Sequence, residues 1–263
     1  MDMRVTVLVE NHSDGVCTAR HGLSLYIETK LHRLLFDLGP DETVFENAER
    51  LGIDLAAVDT VIISHGHSDH GGALGAFLAC NHIARVYLQK SAFRPHYSTS
   101  GGLHSIGLDP SLEGHPQLVL LDGGARLDEE LTLFTVGKEY QRYCSEANSN
   151  LLSEDGPDRF EDEQNLMIDS RVLVMGCGHR GVVNILDAAP CTPQVCIGGY
   201  HLMKPQTGET VPQPLLEGIA SDLRRRPVRY YTCHCTGQRA TRILAGLVPD
   251  LHSLSCGEII ELP

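Results

Sequence analysis

The sequence predicts an α/β fold of four layers (αββα), in which two mixed sheets pack face to face and helices cover them. Two observations lead to this prediction. Apolar, β-branched runs typical of buried strands recur along the 263 residues, and helical spacing returns between them. Each half of the chain also contains several strands and then a strand, a turn rich in potential ligands, and a helix. Two sheets with helices outside suit that order, and such sheets mix parallel and antiparallel strands.

The individual elements follow from local patterns. Val5, Val7 and Val9 alternate along the first strand, and Gly52 ends the first helix. Strands are predicted at residues 4–10, 23–29, 33–36, 58–63, 85–88, 117–121, 131–136, 166–168, 171–175, 195–197, 228–232 and 257–262. Helices are predicted at 42–51, 71–80, 182–188, 215–226 and 238–247. The interval 93–115 has little periodicity and is predicted as a loop or lid. The interval 145–162 is polar and acidic, and a solvated surface loop is favoured over a functional lid.

The composition restricts the partners. The formal net charge is −13, which argues against coating nucleic acid or docking on anionic lipid, since both depend on basic surfaces. A small anionic substrate remains compatible, because one or two divalent cations reverse the local field inside a site. We therefore expect a small-molecule substrate, with no nucleic-acid or membrane partner, and leave homo-oligomer formation open.

The predicted location and domain count rest on kinds of segment that we do not find in the sequence. No charged start followed by an apolar run opens it, and no uncharged apolar stretch is long enough to cross a bilayer. We expect a cytoplasmic protein whose nine cysteines are reduced. No Ser/Gly-rich linker or shift of composition divides the sequence, so a single domain over residues 1–263 is predicted.

The segment Ser-His-Gly-His-Ser-Asp-His at 64–70 carries the strongest chemical signal. Four potential ligands, His65, His67, Asp69 and His70, follow directly after an apolar strand. The first three can share a face of an extended chain, with His70 turned towards a second position at the start of a helix. Such a cluster leaves polar groups stranded unless a cation binds there. Imidazole and carboxylate suit Zn²⁺, and also Fe or Mn.

Two later turns repeat this arrangement. His179 lies in a Gly-rich turn between a predicted strand and helix, and His234 lies in the same kind of place between Cys233 and Cys235. The Cys-His-Cys spacing does not suit a closed zinc site, whose ligand pairs leave two or more residues between them. We interpret His179 and His234 as metal ligands and the flanking thiols as structural. Cys177 is a further potential ligand, although packing is the favoured interpretation.

Polar residues after other strands are candidates for substrate contacts. His201 is open to three interpretations, a metal ligand, a substrate contact or a loop residue, with substrate contact or proton donation slightly ahead because other ligands suffice. Asn11 and Asp37 also follow strands and are candidate substrate contacts. Asp37 could instead support a ligating histidine, whereas His12 is interpreted as a loop residue.

At this point the sequence resembles a known family. His-x-His-x-Asp-His at 65–70 is similar to the signature of the metallo-β-lactamase superfamily, and the order of elements agrees over nearly the whole chain. Five more segments resemble one subfamily, which includes the archaeal dihydropterin ribofuranosyl-aminobenzene phosphate synthase of methanopterin biosynthesis. These segments are residues 9–11, 35–39, 176–181, 198–202 and 233–237.

The resemblance implies an αββα sandwich with a dinuclear metal centre at one edge. It implies that one ion is held by His65, His67 and His179, and the other by Asp69, His70 and His234. Two departures leave this partition open. A usual Gly-His turn is missing where Val136-Gly137-Lys138 stands, and the usual bridging Asp is missing near Cys177 and His179.

The expected activity is hydrolysis of a small anionic substrate by water activated at two divalent ions, zinc foremost, with iron or manganese as alternatives. Asp69 would hold an ion and orient the water, and His201 would protonate the leaving group or bind a phosphate. A second hypothesis is a synthase that joins a dihydropterin diphosphate to a ribofuranosyl-aminobenzene phosphate. Few aromatic residues (5%, no Trp) slightly favour the hydrolase. A non-catalytic metal-binding or sensor protein is the third hypothesis, and a nuclease is disfavoured by the acidic charge.

Overall fold

Strands and helices alternate through the computed structural model, which describes residues 3–13, 15–204 and 207–262. The strands are β1 (Met3–Val9), β2 (Ser24–Glu28), β3 (Arg33–Phe36), β4 (Thr60–Ile62), β5 (Arg85–Gln89), β6 (His96–Ser98), β7 (His104–Ser105), β8 (Leu118–Leu121), β9 (Ala125–Arg126), β10 (Leu131–Thr135), β11 (Leu151–Ser153), β12 (Gly156–Pro157), β13 (Gln164–Ile168), β14 (Val172–Val174), β15 (Val195–Gly198), β16 (Arg229–Thr232), β17 (Leu251–Ser253) and β18 (Ile259–Leu262). The α-helices are α1 (Thr43–Arg50), α2 (Ser68–Gly71), α3 (Leu74–Cys80), α4 (Val182–Ala188), α5 (Gln213–Leu223) and α6 (Gln238–Leu247). Within the described ranges the longest helix has 11 residues, so none is long and apolar enough to cross a membrane.

The contacts divide the chain into two compact units. The first covers the described residues of Met1–His96, Ile106–Asp122 and Leu254–Pro263, and the second covers those of Tyr97–Ser105 and Gly123–Ser253. The prediction of a single domain over residues 1–263, whose two end residues lie outside the described ranges, stays a prediction.

A seven-stranded mixed sheet organises the first unit, in the order β18-β1-β2-β3-β4-β5-β8. The strands from β18 to β3 pair antiparallel, and those from β3 to β8 pair parallel. Helices α1 and α3 bury apolar side chains in one core with this sheet, among them Val44, Phe77 and Val86. Helix α1 ends where Gly52 takes a positive φ of 69° and Ile53 N–H donates to Ala48 O, a Schellman cap.

A second seven-stranded mixed sheet organises the second unit, in the order β17-β16-β15-β14-β13-β10-β9. Strands β14 to β17 are parallel, and β9, β10 and β13 pair antiparallel beside them. Leu173, Cys196, Tyr230 and Leu251 are in register across the four parallel strands. All four belong to the core that also contains apolar residues of α4, α5 and α6. The helices of this unit therefore pack on this row of side chains.

Most differences from the predicted elements concern short strands. The intervals 93–115 and 145–162, predicted as loops, contribute β6, β7, β11 and β12 to a third, four-stranded sheet. These strands have two or three residues each, too few to show a period of two in the sequence. The edge strands β9 and β17 escaped prediction for the same reason. The predicted helix 71–80 is divided into α2 and α3, and α2 begins inside the histidine-rich segment.

A buried amide ties α1 to the first sheet. Asn47 is fully buried; its Nδ2 donates to Leu8 O at 2.8 Å and to Thr18 O at 2.9 Å, and its Oδ1 accepts Thr18 N–H at 2.8 Å. The side chain thus satisfies backbone groups of β1 and of the following loop. Removing it takes away three hydrogen bonds and leaves only the weak Cys256 thiol donor to Leu8 O and Thr18 O.

We therefore predict that Asn47→Ala lowers the free energy of unfolding by about 2–3 kcal/mol, as measured by urea denaturation. Glu49→Ala, on the exposed side of the same helix, is the control and should change it by less than about 0.5 kcal/mol. Equal effects of the two substitutions would contradict this role of Asn47.

Candidate metal centre

Predicted site residues of the first unit follow neighbouring parallel strands. Asp37 follows β3, while Ser64 and His65 follow β4, and these two strands pair in parallel. Carboxyl ends of parallel strands lie at the same edge of a sheet. The segments after β3 and β4 therefore meet, although 27 positions separate Asp37 from Ser64.

The carboxylate of Asp37 is fully buried and organises the histidine-rich segment. Its Oδ1 accepts Ser64 N–H at 2.7 Å, and its Oδ2 accepts Ser64 Oγ–H at 2.8 Å. The same Oδ2 lies 2.7 Å from His70 Nδ1. Since an ionised carboxylate only accepts hydrogen bonds, His70 carries its proton on Nδ1 and presents a lone pair on Nε2.

A short relay fixes His65 in the same way. Ser64 Oγ has one hydrogen, which it gives to Asp37, so it accepts from His65 Nδ1, 2.8 Å away. The lone pair of His65 is then on Nε2, which lies 3.0 Å from His67 Nδ1. Burial, together with the neighbouring rings of His70 and His67, lowers the pKa of His65 well below its usual range. His65 is therefore a neutral imidazole, the form that binds metals.

The rings of this segment are crowded and buried. The His65 ring centroid lies 4.4 Å from that of His67 and 4.3 Å from that of His70, and the His67 ring is 5.2 Å from that of His96. Gly66 allows this approach, because a Cβ there would lie 2.1 Å from the carbonyl oxygen of Ala92 and 2.8 Å from His96 Nε2.

Asp69 borders the cluster on its more exposed side. Its Oδ2 lies 3.9 Å from His70 Nε2 and 3.4 Å from His21 Nε2. Asn11, a predicted substrate contact, accepts Gly22 N–H at 3.3 Å, and the next residue, Leu23, donates its N–H to Asp69 O. Asn11 therefore supports the loop that packs on Asp69. His12 is exposed, as its interpretation as a loop residue requires.

In the second unit, three histidines follow three adjacent parallel strands. His179 comes after β14, His201 after β15 and His234 after β16. Two of them have backbone in the left-handed region, with φ of 46° at His201 and 51° at His234. Non-glycine residues hold this conformation only where surrounding contacts enforce it, and such positions cluster at functional sites.

Three residues contact His179 and fix its position. Asn148 Nδ2 donates to His179 O at 2.9 Å, so the Oδ1 of this amide faces His179 Nδ1, 3.0 Å away, and Nε2 keeps a lone pair. Phe160 stacks on the imidazole, with centroids 4.3 Å apart and planes 4° apart. Glu163 accepts the N–H groups of His179 and Arg180 at 2.6 and 2.9 Å. Burial raises the pKa of Glu163 to about 7, against the effect of these two hydrogen bonds.

His201 faces the His179 ring. Their ring centroids are 4.2 Å apart. The backbone of His201 is fixed, because its N–H donates to Cys235 Sγ at 3.3 Å and its carbonyl accepts Ser145 Oγ–H. Its side chain is 5% exposed, and neither ring nitrogen has a hydrogen-bond partner among the described residues.

Two buried thiols complete this cluster. Cys177, His179 and His201 each place one ligand atom within 4.8 Å of the others, and so do Cys177, His234 and Cys235. Burial disfavours the thiolate of Cys235, but the adjacent side chains of Cys177, His201 and His234 lower its pKa well below its usual range.

The donor set of each unit fits a divalent metal ion. Neutral imidazoles with exposed lone pairs suit Zn²⁺, and thiols add a softer ligand that zinc and iron accept. Two nitrogens bound tetrahedrally to one zinc stand about 3.3 Å apart, close to the 3.0 Å between His65 Nε2 and His67 Nδ1. The spacing of these two nitrogens therefore suits one bound ion.

The sequence did not reveal the residues that contact the predicted metal ligands and fix their positions. Asn148, Phe160 and Glu163 lie in or next to an interval assigned to the solvated surface, yet all three contact His179. The polar, acidic composition of this interval does not indicate these contacts. His96 was also missed, since it is isolated in an aperiodic stretch. Asp37 was found, and its burial and its bond to His70 fit support of a ligating histidine.

Comparisons with known proteins give consistent relatives. The model of the metallo-β-lactamase superfamily matches residues 17–144. An uncharacterized protein of Methanocaldococcus jannaschii is 26% identical over 262 residues, which cover 92% of this chain and 94% of the relative. The 7,8-dihydropterin-6-methyl-4-(β-D-ribofuranosyl)-aminobenzene-5′-phosphate synthase of the same organism is 25% identical over 297 residues, with 99% and 97% covered. A crystal structure described as a metal-dependent hydrolase of the β-lactamase superfamily is 27% identical, with a TM-score of 0.80 and 99% of both chains covered.

We predict that Asp37→Asn weakens metal binding by about 10- to 100-fold. An amide has one acceptor oxygen where the carboxylate has two, so its NH₂ group faces either Ser64 N–H or the Ser64 Oγ and His70 Nδ1 donors, and the hydrogen bonds that fix His70 are disturbed. Affinity is measured by competition with a chromophoric chelator. Asp59→Asn is the matched control, because Asp59 also bonds a histidine, His32 Nδ1 at 2.9 Å, but on a half-buried surface. Unchanged affinity in Asp37→Asn would refute the relay.

Proposed function

We propose that this chain is a metal-dependent hydrolase of a small anionic substrate, because its residues 17–144 match the model of the metallo-β-lactamase superfamily and its fold matches that of a structure described as a hydrolase of the β-lactamase superfamily. The predicted α/β fold of mixed sheets and the family resemblance are both confirmed by these matches. The superfamily consists mostly of enzymes, chiefly hydrolases, and its fold implies divalent metal binding. Substrate, metal identity and metal number belong to the proposal.

The observation that carries the proposal is the state of the buried imidazoles. His65 and His70 are oriented by Ser64 and Asp37, and His179 is oriented by Asn148. In each case the bonded nitrogen is Nδ1, and Nε2 keeps the lone pair. Histidines that merely pack in a core need no such uniform preparation, whereas metal ligands commonly have it.

We propose two zinc ions, with iron or manganese as alternatives. The proposed ligands are those that the resemblance implies: His65, His67, Asp69, His70, His179 and His234. Bound divalent ions supply Lewis acidity and lower the pKa of water towards about 7. The protein residues would bind, orient and protonate the reactants around them.

Three other residues have proposed roles in this reaction. Asp69 would orient the attacking water, since its carboxylate is only partly buried beside His70. His201, whose ring nitrogens are unbonded, would contact the substrate and protonate the leaving group or bind a phosphate. Asn11 would contact the substrate from the loop beside Asp69. Asp37 would act through His70, because its full burial leaves it no surface for a substrate.

A synthase is the second proposed function, and the relative in Methanocaldococcus jannaschii favours it. That synthase aligns with 99% of this chain, so the same scaffold supports group transfer there. The identity to that synthase is 25%. A hydrolase stays our first proposal, supported by the 27% identical structure described as a hydrolase and by the scarcity of aromatic residues for stacking a pterin.

The remaining proposals concern partners and location. The net charge of −13 supports a small-molecule substrate and no nucleic-acid or membrane partner, because these surfaces select basic proteins. We propose a cytoplasmic location, which cell fractionation tests. Strongly salt-dependent RNA binding would revive the nuclease hypothesis.

We predict that His67→Ala loses metal and lowers activity by more than about a hundredfold, since a ligand matters at least as much as its support. Metal content by elemental analysis and turnover are measured on the same sample. His82→Ala, an exposed histidine of the same unit, is the control and should retain both. Full metal content in His67→Ala would exclude this residue as a ligand.

The reaction itself is tested with the metal-loaded protein on a panel of phosphodiester, lactone and thioester substrates. We expect hydrolysis of at least one class, abolished by a chelator and restored by zinc. A fully loaded protein that is inert to the whole panel but joins the pterin and aminobenzene substrates would establish the synthase. Inertness in both assays would leave the metal-binding or sensor hypothesis.

A further inference from the structure

His21 lies in the loop that packs on Asp69, and we did not predict it as a site residue from the sequence. Its side chain is 48% exposed, yet its Nε2 lies 3.4 Å from Asp69 Oδ2, so the imidazole is directed at this carboxylate. Both residues belong to a group of potential ligands whose ligand atoms lie within 4.8 Å of one another. His21 is therefore a candidate for a role beside the predicted ligand Asp69.

The backbone that follows His21 packs directly on Asp69. A Cβ at Gly22 would lie 2.4 Å from Asp69 O and 2.7 Å from Pro40 Cδ, so only glycine fits there. The next residue, Leu23, donates its N–H to Asp69 O at 3.2 Å. This close approach holds His21 at the carboxylate.

The backbone that precedes His21 is fixed as well. Arg20 donates its N–H to Glu10 O at 3.0 Å, and its Nε lies 3.0 Å from Asp41 Oδ2. The position of His21 thus follows from bonds on both sides of it. Its imidazole is not needed to hold the loop in place.

The separation of His21 and Asp69 is longer than that of a comparable pair. His252 Nε2 lies 2.9 Å from Asp250 Oδ1, although those side chains are 49% and 51% exposed. N–H···O hydrogen bonds are usually about 2.7–3.2 Å long. Exposure therefore does not prevent a histidine and a carboxylate from closing to hydrogen-bond distance in this protein. The 3.4 Å between His21 and Asp69 calls for another explanation.

Two ligands of one metal ion have this spacing. Ligand atoms at tetrahedral positions around one zinc stand about 3.3 Å apart, and two zinc bonds together span at most about 4.2 Å. Asp69 Oδ2 lies 3.4 Å from His21 Nε2 and 3.9 Å from His70 Nε2. Both distances are compatible with an ion bound to Asp69 Oδ2 and to these nitrogens.

The electrons on the facing atoms also favour a cation at this place. His70 carries its proton on Nδ1, which faces Asp37, so a lone pair on its Nε2 lies near the carboxylate of Asp69. A lone pair beside an ionised oxygen is unfavourable unless a cation lies between them. An exposed pair such as His21 and Asp69 adds little to stability, so stability alone does not explain the position of His21.

We propose that His21 is a ligand of a metal ion that Asp69 and His70 also bind. The inference rests on the proposed function and deepens it, because it adds a residue to the proposed ligands. Two imidazole nitrogens and a carboxylate oxygen of the first unit suit zinc. Since His21 is partly exposed, this ion borders solvent and keeps a position for water or substrate.

Metal affinity tests this ligand. The affinity of the full-length protein for each zinc ion is measured by competition with a chromophoric chelator. We expect His21→Ala to weaken the binding of one ion by at least about tenfold. His252→Ala, which changes an equally exposed histidine beside a carboxylate, is the control and should leave the affinity unchanged. The urea midpoint of the metal-free protein should be the same in His21→Ala and the wild type.

Two further variants separate a ligand from a hydrogen-bond donor. His21→Glu places a carboxylate oxygen near the position of Nε2, whereas His21→Gln places an amide N–H there. We expect His21→Glu to recover most of the affinity and His21→Gln to stay as weak as His21→Ala, because an amide is a poor zinc ligand. Recovery in His21→Gln alone would mean that His21 only donates to Asp69, and would overturn the inference.

Anomalous X-ray diffraction of the zinc-loaded wild type needs no variant. It should place His21 Nε2 about 2.0–2.1 Å from a zinc ion that Asp69 and His70 also bind. A zinc bound to Asp69 and His70 but not to His21 overturns the inference.

The outcomes distinguish this inference from the proposed function. Unchanged affinity for every ion in His21→Ala overturns the inference and leaves the hydrolase standing, because the other proposed ligands are unaffected. A wild-type protein that binds no zinc refutes both.

Discussion

Neighbouring parallel strands end at one edge of their sheet, and the chemistry of this protein depends on that constraint. In the first sheet it brings Asp37, after β3, against the segment that follows β4. In the second sheet it aligns the turns that hold His179, His201 and His234. Residues far apart in the sequence thus become neighbours without any long-range recognition between their own side chains. The pairing of the strands, which the apolar cores stabilise, therefore positions these residues.

Burying several imidazoles together demands control of their protons. A charged imidazole is costly inside a protein, and a neutral one must keep a hydrogen on one nitrogen or the other. Here the choice is made by neighbours: Asp37 and Ser64 for His70 and His65, and Asn148 for His179. Each neighbour takes the Nδ1 side, which leaves Nε2 as the donor atom. The residues around the ligands therefore matter for metal binding almost as much as the ligands themselves.

In the second unit, left-handed backbone and polar hydrogen bonds also hold the histidines in position. Left-handed backbone at His201 and His234 is enforced by bonds to Cys235 and by the tight turns after β15 and β16. Glu163 satisfies two N–H groups at the turn that carries His179.

The sequence by itself determined the fold class, most long strands and helices, and the histidines that could bind metal. These features are local: alternation, helical spacing and the ligand-rich segment at 64–70 need no knowledge of distant residues. Only the tertiary structure decided that Asn148, Phe160 and Glu163 surround His179, that short strands such as β11 and β12 pair, and that Cys235 Sγ donates to the carbonyl of Cys177. The reason is physical: strands of two or three residues carry no readable period, and the proton and bonding partner of a side chain depend on which distant backbone group folding brings beside it.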